Sequence, residues 1–227
     1  GVPFGIYYSQ PDWYHPDYRN GDRHARYLSY LHGQVEELLT RYGRVYSWFF
    51  DGLGGKAEDW DAPRLLAMMR QRMPDLVINN RAGLPADYDT PENRVGFFQN
   101  QRPWETCATI TRQWAYKPDD RMRSLEECLQ LLISCAVGDG NLLLNVGPMP
   151  DGRIAPEQAG LLLQLGDWLK KNGSSIYGTR GGPWEPNPAY VSTNRGKTVY
   201  VHVLDGSVNP IKLPALTTKI SSARLLS

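Results

Sequence analysis

The carboxylate of Asp51 is the first candidate for chemistry in this sequence. It ends the apolar and aromatic run YSWFFDG at residues 46–52, and Gly52 follows it directly. An acid in that place is either a turn or helix-capping residue or a reacting group. Hydrolysis of a glycosidic bond with retention uses two carboxyl groups about 5–5.5 Å apart, one that attacks the anomeric carbon and one that donates a proton.

A second carboxyl group would have to come from another part of the chain. Four acids stand in or beside the long loop predicted at 82–103: Asp87, Asp89, Glu92 and Glu105. A loop is a natural place for a proton donor, because the donor must reach over a bound sugar. Spacing alone does not separate Glu92 from Glu105, and either one could equally be a solvated surface acid.

Polar side chains also follow the other predicted strands. At the exits of these strands stand Tyr7 and Tyr8 for the first, Asn79 and Arg81 for the third, and Asn145 for a later one. Reactive groups of parallel α/β proteins lie at this carboxyl edge of the sheet. The four histidines are scattered, with no cysteine or carboxylate at ligand spacing, so we predict no metal and no cofactor. Neither a phosphate-binding loop nor a serine nucleophile elbow is recognisable.

The elements that position these groups alternate between strands and amphipathic helices. The predicted strands cover residues 4–9, 45–51, 76–80 and 141–146, and the predicted helices cover 27–42, 63–72, 124–137 and 156–171. Such alternation indicates right-handed crossovers and a parallel sheet. Within the second strand, a period of two places Asp51 and Phe49 on one face, whereas Trp48 and Phe50 point towards the helices.

The character of the sequence changes after residue 178. The run 198–203 alternates with a period of two, and 211–214 and 220–226 are predicted as further short strands. We therefore expect one domain at 1–178 and the start of an antiparallel domain at 179–227. The βα units in the first domain are too few for a closed eight-stranded barrel, which takes about 250 residues. Either the sheet is open or strands are missing on its N-terminal side, and the strand at the very start favours the second alternative.

Composition excludes several classes of function. With 25 basic and 24 acidic side chains the net charge is +1, so no bulk field favours nucleic acid or an anionic membrane. No apolar run reaches the roughly 18 residues that a membrane span needs, and the first residues do not have the pattern of a signal peptide. Seven Trp and 13 Tyr beside five Phe favour flat rings with a polar edge, which fill a core or pack against sugar rings.

Seven stretches together resemble glycoside hydrolase family 29, the α-L-fucosidases, and they cover nearly the whole chain. They are FGIYYSQPDWYHPDY (4–18), QVEELLTRYGRVYSWFFDG (34–52), VINNR (77–81), TPE (90–92), WETCATITRQWAYK (104–117), NLLLNVGPMPDGRI (141–154) and LGDWLKKNGSSIYGT (165–179). They occur in the family's order with similar gaps, and NLLLNVGP–DGRI is the most specific.

The resemblance implies a role for particular residues. Asp51 matches the catalytic nucleophile, and Glu92 aligns with a glutamate that is the acid/base in part of the family, with Glu105 as the alternative. The substrate-binding residues that it implies are Tyr7, Phe49, Arg81 and Trp114. Phe49 stands where many members have Trp, so that stacking surface differs here.

The resemblance also implies an architecture and a reaction. The fold expected is α/β: a partial (β/α)8-type barrel lacking its N-terminal strands, followed by the first strands of a C-terminal β-sandwich. The activity expected is that of a retaining exo-α-L-fucosidase acting on fucosylated oligosaccharides or glycoconjugates, with an N-terminal fragment or a second copy completing the barrel. The alternatives are a non-catalytic fucose-binding protein and an inactive fragment. The family makes a secreted or periplasmic location plausible, while the sequence itself leaves the compartment unknown.

Overall fold

The computed structural model describes residues 1–95, 98 and 101–226, and these fall into two compact units, 1–90 and 91–227. The first unit is built on three parallel strands in the order β1-β2-β3. Its elements are β1 (Gly5–Tyr8), α1 (His24–Arg41), β2 (Ser47–Phe50), α2 (Ala62–Arg72) and β3 (Val77–Ile78). The alternation predicted from the sequence is thus confirmed here, although α1 begins three residues earlier than the predicted Tyr27.

The register of the sheet brings the carboxyl ends of its strands together. Tyr8 pairs with Phe50 at the end of β1 and β2, and Trp48 pairs with Ile78 at the end of β3. Each parallel pair is joined by a helix, because the crossover needs a dozen or more residues. Polar residues that follow the three strands therefore emerge at one edge.

The core of the first unit lies between the helices and one face of β2. Trp48 and Phe50 are fully buried there, as the period-two pattern predicted. Leu31, Val35 and Leu65 pack into the same cluster from α1 and α2. Burying side chains of this size stabilises a fold by about 1.5–3 kcal/mol each, so the strand that carries Asp51 is firmly held.

Within its described residues, 91–95, 98 and 101–226, the second unit contains one parallel pair of strands and one antiparallel sheet. Its elements are β4 (Glu105–Thr109), α3 (Leu125–Val137), β5 (Asn141–Asn145), α4 (Pro156–Asn172), β6 (Arg180–Gly181), β7 (Tyr190–Arg195) and β8 (Thr198–Val203). Helix α3 begins at the predicted capping box, in which Ser124 accepts from the backbone N–H of Glu127 and the Glu127 side chain accepts from that of Ser124.

The C-terminal part of this unit corrects the sequence-based interpretation in one respect. The strand predicted at 198–203 is present as β8 and pairs with β7, but residues 211–214 and 220–226 are not strands. Short β-prone runs become strands only where a neighbouring edge accepts their hydrogen bonds. Residues 211–214 are instead attached through a hydrogen bond that Trp184 Nε1 donates to the carbonyl oxygen of Pro214. The domain boundary predicted between 178 and 179 lies inside the second unit and stays a prediction.

Candidate active site

Asp51 lies directly after β2, at the carboxyl edge of the first unit's sheet. Its backbone N–H donates to the carbonyl of Tyr8 at 3.0 Å, so the ladder between β1 and β2 continues through the candidate residue. Gly52 behind it is buried, and a Cβ at that position would lie 2.7 Å from the carbonyl oxygen of Arg81. A glycine is therefore required at position 52 by the close approach of two backbone segments.

Asn79 locks the end of β2 in place. Its side chain is fully buried, its Oδ1 accepts from the backbone N–H of Phe50 at 2.9 Å, and its Nδ2 donates to the carbonyl of Phe50 at 2.9 Å. The side-chain amide thus makes the hydrogen bonds that a further backbone pair between β2 and β3 would make, at a position where β3 has already ended. In the sequence Asn79 is recognisable only as a strand-end residue, and the signal for its role is a polar amide directly after the apolar pair Val77–Ile78.

Two donors hold the carboxylate of Asp51. The hydroxyl of Tyr7 donates to Oδ2, and Arg81 Nη1 lies 3.2 Å from Oδ1. The Asp51 and Arg81 side chains are each only 19% exposed, whereas that of Tyr7 is largely open to solvent. A guanidinium and a phenol thus hold separate oxygens of this carboxyl group and fix its orientation.

The guanidinium of Arg81 is itself fixed. Its Nε donates to Thr90 Oγ1 at 2.9 Å and its Nη2 to the Thr90 carbonyl at 3.2 Å, while Asn80 Oδ1 accepts from the N–H and the hydroxyl of Thr90. The same guanidinium lies over the ring of Phe49, 5.2 Å from its centroid. A rigid cation of this kind loses little side-chain entropy when it orients a carboxylate.

Phe49 completes this cluster. Its ring stacks on that of Tyr7 with centroids 5.8 Å apart and planes 15° from parallel. The structure thus brings together four of the predicted site residues, Asp51, Tyr7, Phe49 and Arg81, although they are spread over more than 70 positions of the chain.

Two of the four candidate acids for a second carboxyl group have structural partners in the first unit. Asp87 Oδ2 lies 2.5 Å from Arg70 Nη2 and accepts from the backbone N–H of Ile78 at 2.6 Å. Asp89 Oδ1 accepts from Asn80 Nδ2 at 3.3 Å. Asp87 therefore ties the loop that follows β3 back to α2 and to β3 itself.

The remaining two acids, Glu92 and Glu105, belong to the second unit and differ in their place along β4. Glu92 forms a parallel bridge with Cys107, halfway along the strand, whereas Glu105 is the first residue of the strand. Burial raises the pKa of the Glu105 carboxyl. Because a strand rises about 3.3 Å per residue, Glu105 lies about 13 Å from Thr109 at the carboxyl end. That distance sets Glu105 apart from the edge where parallel α/β proteins carry their reactive groups.

Trp114 lies in the loop after β4, on the carboxyl side of the same strand. Its carbonyl accepts from Asn145 Nδ2 at 2.9 Å, so the end of β5 holds this loop. The indole side chain is 42% exposed, which leaves an aromatic face open to a ligand.

In the part of the chain that the structure describes, no three His, Cys, Asp or Glu side chains lie close enough together to bind a metal ion. The three cysteines are all buried and unbonded to one another. Among the described helices, none combines the length and the apolar run that crossing a bilayer requires.

The fold and the cluster place the chain among the α/β proteins whose polar groups follow parallel strands at one edge of the sheet. The family model for alpha-L-fucosidase matches residues 1–174, and the chain belongs to this family of glycoside hydrolases. The resemblance recognised in the sequence is thereby confirmed.

The proteins that this chain resembles are longer than the chain. The plasma alpha-L-fucosidase of Pongo abelii is 30% identical over 87% of the chain, which spans 47% of that relative. The structure of alpha-L-fucosidase isoenzyme 1 from Paenibacillus thiaminolyticus superposes with a TM-score of 0.89 at 34% identity, over 100% of this chain and 62% of that one. A GH29 alpha-L-fucosidase from Bacteroides thetaiotaomicron, described as a trapped covalent intermediate with 2-fluoro-fucosyl fluoride, has a TM-score of 0.76 at 26% identity, covering 87% and 53%. The chain thus spans about half the length of the curated relatives it matches.

Proposed function

We propose that this chain carries the nucleophile of a retaining, exo-acting α-L-fucosidase that removes terminal α-L-fucose from oligosaccharides or glycoconjugates. The observation that carries the proposal is the setting of Asp51: a four-fifths buried carboxyl group held by a phenol and a guanidinium at the carboxyl edge of a parallel sheet. The trapped covalent intermediate of the Bacteroides thetaiotaomicron relative supports a covalent route.

The reaction proceeds in two displacements. An oxygen of Asp51 attacks the anomeric carbon while the bond to the leaving oxygen breaks, and Glu92 gives its proton to that oxygen. The Glu92 carboxylate then takes a proton from water, the water oxygen attacks the same carbon, and the ester bond to Asp51 breaks. Two inversions leave fucose with its original configuration.

Glu92 rather than Glu105 is proposed as the acid/base for two reasons. The resemblance assigns that role to the TPE glutamate, and Glu92 bridges Cys107 halfway along β4, whereas Glu105 starts the strand, farther from its carboxyl end. Burial alone raises the pKa of Glu105, with no contribution from a neighbouring charge. The raised pKa therefore reflects the position of Glu105 at the start of β4.

The ring surfaces suit a 6-deoxy sugar. Fucose has a methyl group where other hexoses have a hydroxymethyl, so part of its site can be apolar. The stacked rings of Tyr7 and Phe49 lie beside Asp51, and Trp114 presents an exposed indole in its own unit. We propose these three rings as the surfaces that contact the C–H faces of the sugar, with Arg81 beside the ring oxygen and hydroxyls.

The architecture that fits this function is a partial (β/α)8-type barrel that lacks its N-terminal strands and continues into the first strands of a β-sandwich. The parallel strands β1 to β5 would belong to the barrel, and β6 to β8 to the sandwich. An N-terminal fragment or a second copy of the chain would supply the remaining strands.

The deciding experiment is Asp51→Ala in the complete natural polypeptide, assayed on 4-nitrophenyl α-L-fucoside. We expect turnover to be lost and partly restored by azide as fucosyl azide of inverted configuration, because azide enters the space of the missing carboxylate. Asp75→Ala is the matched control, since its side chain is 89% exposed and its nearest cation is Arg44 at 3.7 Å. Wild-type rates in Asp51→Ala would refute the proposal, and fucose binding without turnover in the wild type would indicate a non-catalytic binding protein instead.

A further inference from the structure

A cleft lined by arginines opens in the second unit. Its volume is about 310 Å³, at the lower end of the range for small-molecule sites. The wall carries the guanidinium groups of Arg112, Arg121 and Arg123 and the single carboxylate of Glu127. Three positive charges against one negative charge give this cleft a local excess that the whole chain, with a net charge of +1, does not have.

The three guanidinium groups retain donors that can reach a ligand. Arg123 is anchored through Nε, which donates to the carbonyl of Thr109 at 2.8 Å, and this bond leaves the N–H groups of its two Nη atoms as further donors. Arg121 approaches Glu127 Oε1 only to 3.6 Å. The guanidinium of Arg112 has no hydrogen bond or ion pair with any described residue, and its backbone N–H is held by Asp120 at 3.0 Å.

The carboxylate of Glu127 already accepts a hydrogen bond within helix α3's capping box. Its Oε2 accepts from the backbone N–H of Ser124 at 2.7 Å in the capping box of α3. That bond holds the carboxylate at the start of the helix. The carboxylate therefore neutralises the positive charge of the arginines only in part. An arginine cluster in this state is suited to an oxyanion, which guanidinium groups bind through paired, charge-assisted hydrogen bonds.

The cleft adjoins the proposed acid/base. Asn93, the residue after Glu92, lines the cleft, and its backbone N–H donates to the carbonyl of Cys107 at 2.8 Å. Asn93 Oδ1 also accepts from the N–H of Thr109 at 3.2 Å, so the wall of the cleft and the peptide of Glu92 share one rigid attachment to β4. A proton donor faces the leaving oxygen, and groups beside it therefore face the leaving group.

We propose that the arginine cleft is a leaving-group subsite for an oxyanion substituent, a sulfate or a carboxylate, on the saccharide to which fucose is attached. This inference rests on the proposed function, because it takes Glu92 as the residue that marks the leaving-group side. It names a substrate class that fucosidase activity alone does not require: acidic, fucosylated glycans.

The first test measures binding without catalysis. Isothermal titration of the complete natural polypeptide compares methyl β-D-galactoside with its 6-sulfate and with methyl β-D-glucuronide. We expect at least one anionic sugar to bind about tenfold more tightly than the neutral one, the effect of one charge-assisted hydrogen bond, and the difference to shrink at high salt. Preference for the sulfate alone or for both anions identifies the group that the cleft takes.

Substitutions locate this selectivity. Arg112→Gln removes a charge from a surface loop and should abolish the preference, and Arg112→Lys should restore part of it. Arg64→Ala is the control, because that side chain is 76% exposed on α2 of the other unit. Equal affinity for neutral and anionic sugars, or a preference that survives Arg112→Gln, overturns the inference.

A kinetic arm separates this inference from the proposed function. The ratio of kcat/KM for a sulfated fucosyl disaccharide to that for the neutral disaccharide should fall about tenfold in Arg112→Gln. Hydrolysis of neutral fucosides without any anion preference leaves the proposed function standing and refutes the subsite. Anion binding at Arg112 in a polypeptide that hydrolyses no fucoside refutes both the function and the leaving-group assignment.

Discussion

Replacing Asn79 by Ala should test whether a buried side-chain amide positions the nucleophile. The amide makes two 2.9 Å hydrogen bonds to the backbone of Phe50, the residue before Asp51. Without it, a buried N–H and a buried carbonyl lose their partners at about 1–3 kcal/mol each. Partial entry of water into the space left by the amide lowers the sum, so we expect a loss of about 2–4 kcal/mol in the free energy of unfolding.

The same substitution should lower kcat more than stability alone explains. Phe50 and Asp51 lie at the free end of β2, and a shift of about 1 Å in a reacting group can cost on the order of a hundredfold in rate. Urea unfolding followed by tryptophan fluorescence gives the first quantity. The rate on 4-nitrophenyl α-L-fucoside, measured where the variant is fully folded, gives the second.

Asn20→Ala is the matched control for this experiment. It removes one surface hydrogen bond from Asn20 Nδ2 to the carbonyl of Pro16, and a surface substitution of this kind stays within about 0.5 kcal/mol. If Asn79→Ala is as stable as Asn20→Ala and keeps the wild-type kcat, the amide does not hold Asp51 in place and the positioning argument is wrong.

Three further substitutions probe the acids and the turn behind the nucleophile. Glu92→Ala should slow fucosides with poor leaving groups far more than those with good ones, and azide should give a product of retained configuration; wild-type rates on a poor leaving group would exclude this residue as the acid/base. Glu105→Gln should stabilise the protein at neutral pH, because burial raises the pKa of Glu105 and its ionisation therefore opposes folding as pH rises. The gain should vanish below about pH 4, where the carboxyl is protonated in both states; an unchanged urea midpoint at neutral pH would contradict it. Gly52→Ala should destabilise by at least 1–3 kcal/mol, since its Cβ would press on the carbonyl of Arg81, and tolerance of it in thermal unfolding would show that the two backbones can separate.

Local patterns in the sequence determined the elements and their faces. The helical spacing of Leu31, Val35 and Leu39 marks the side of α1 that is buried. The Ser124–Glu127 capping box marks the start of α3. Alternation along β2 already separates the buried Trp48 from Asp51. These features depend on neighbours within a few positions, which is why a single sequence carries them.

Only the tertiary structure decided which groups meet. Asn79 reaches Phe50 across 29 positions and Arg81 reaches Asp51 across 30, and neither pairing leaves a periodic trace in the sequence. Conversely, a local pattern can mislead: residues 211–214 have a β-prone composition but are not a strand. Hydrogen bonds and ion pairs between distant segments depend on sheet register and crossover geometry. The sequence therefore determined that Asp51 ends a strand, and the fold determined what holds its carboxylate there.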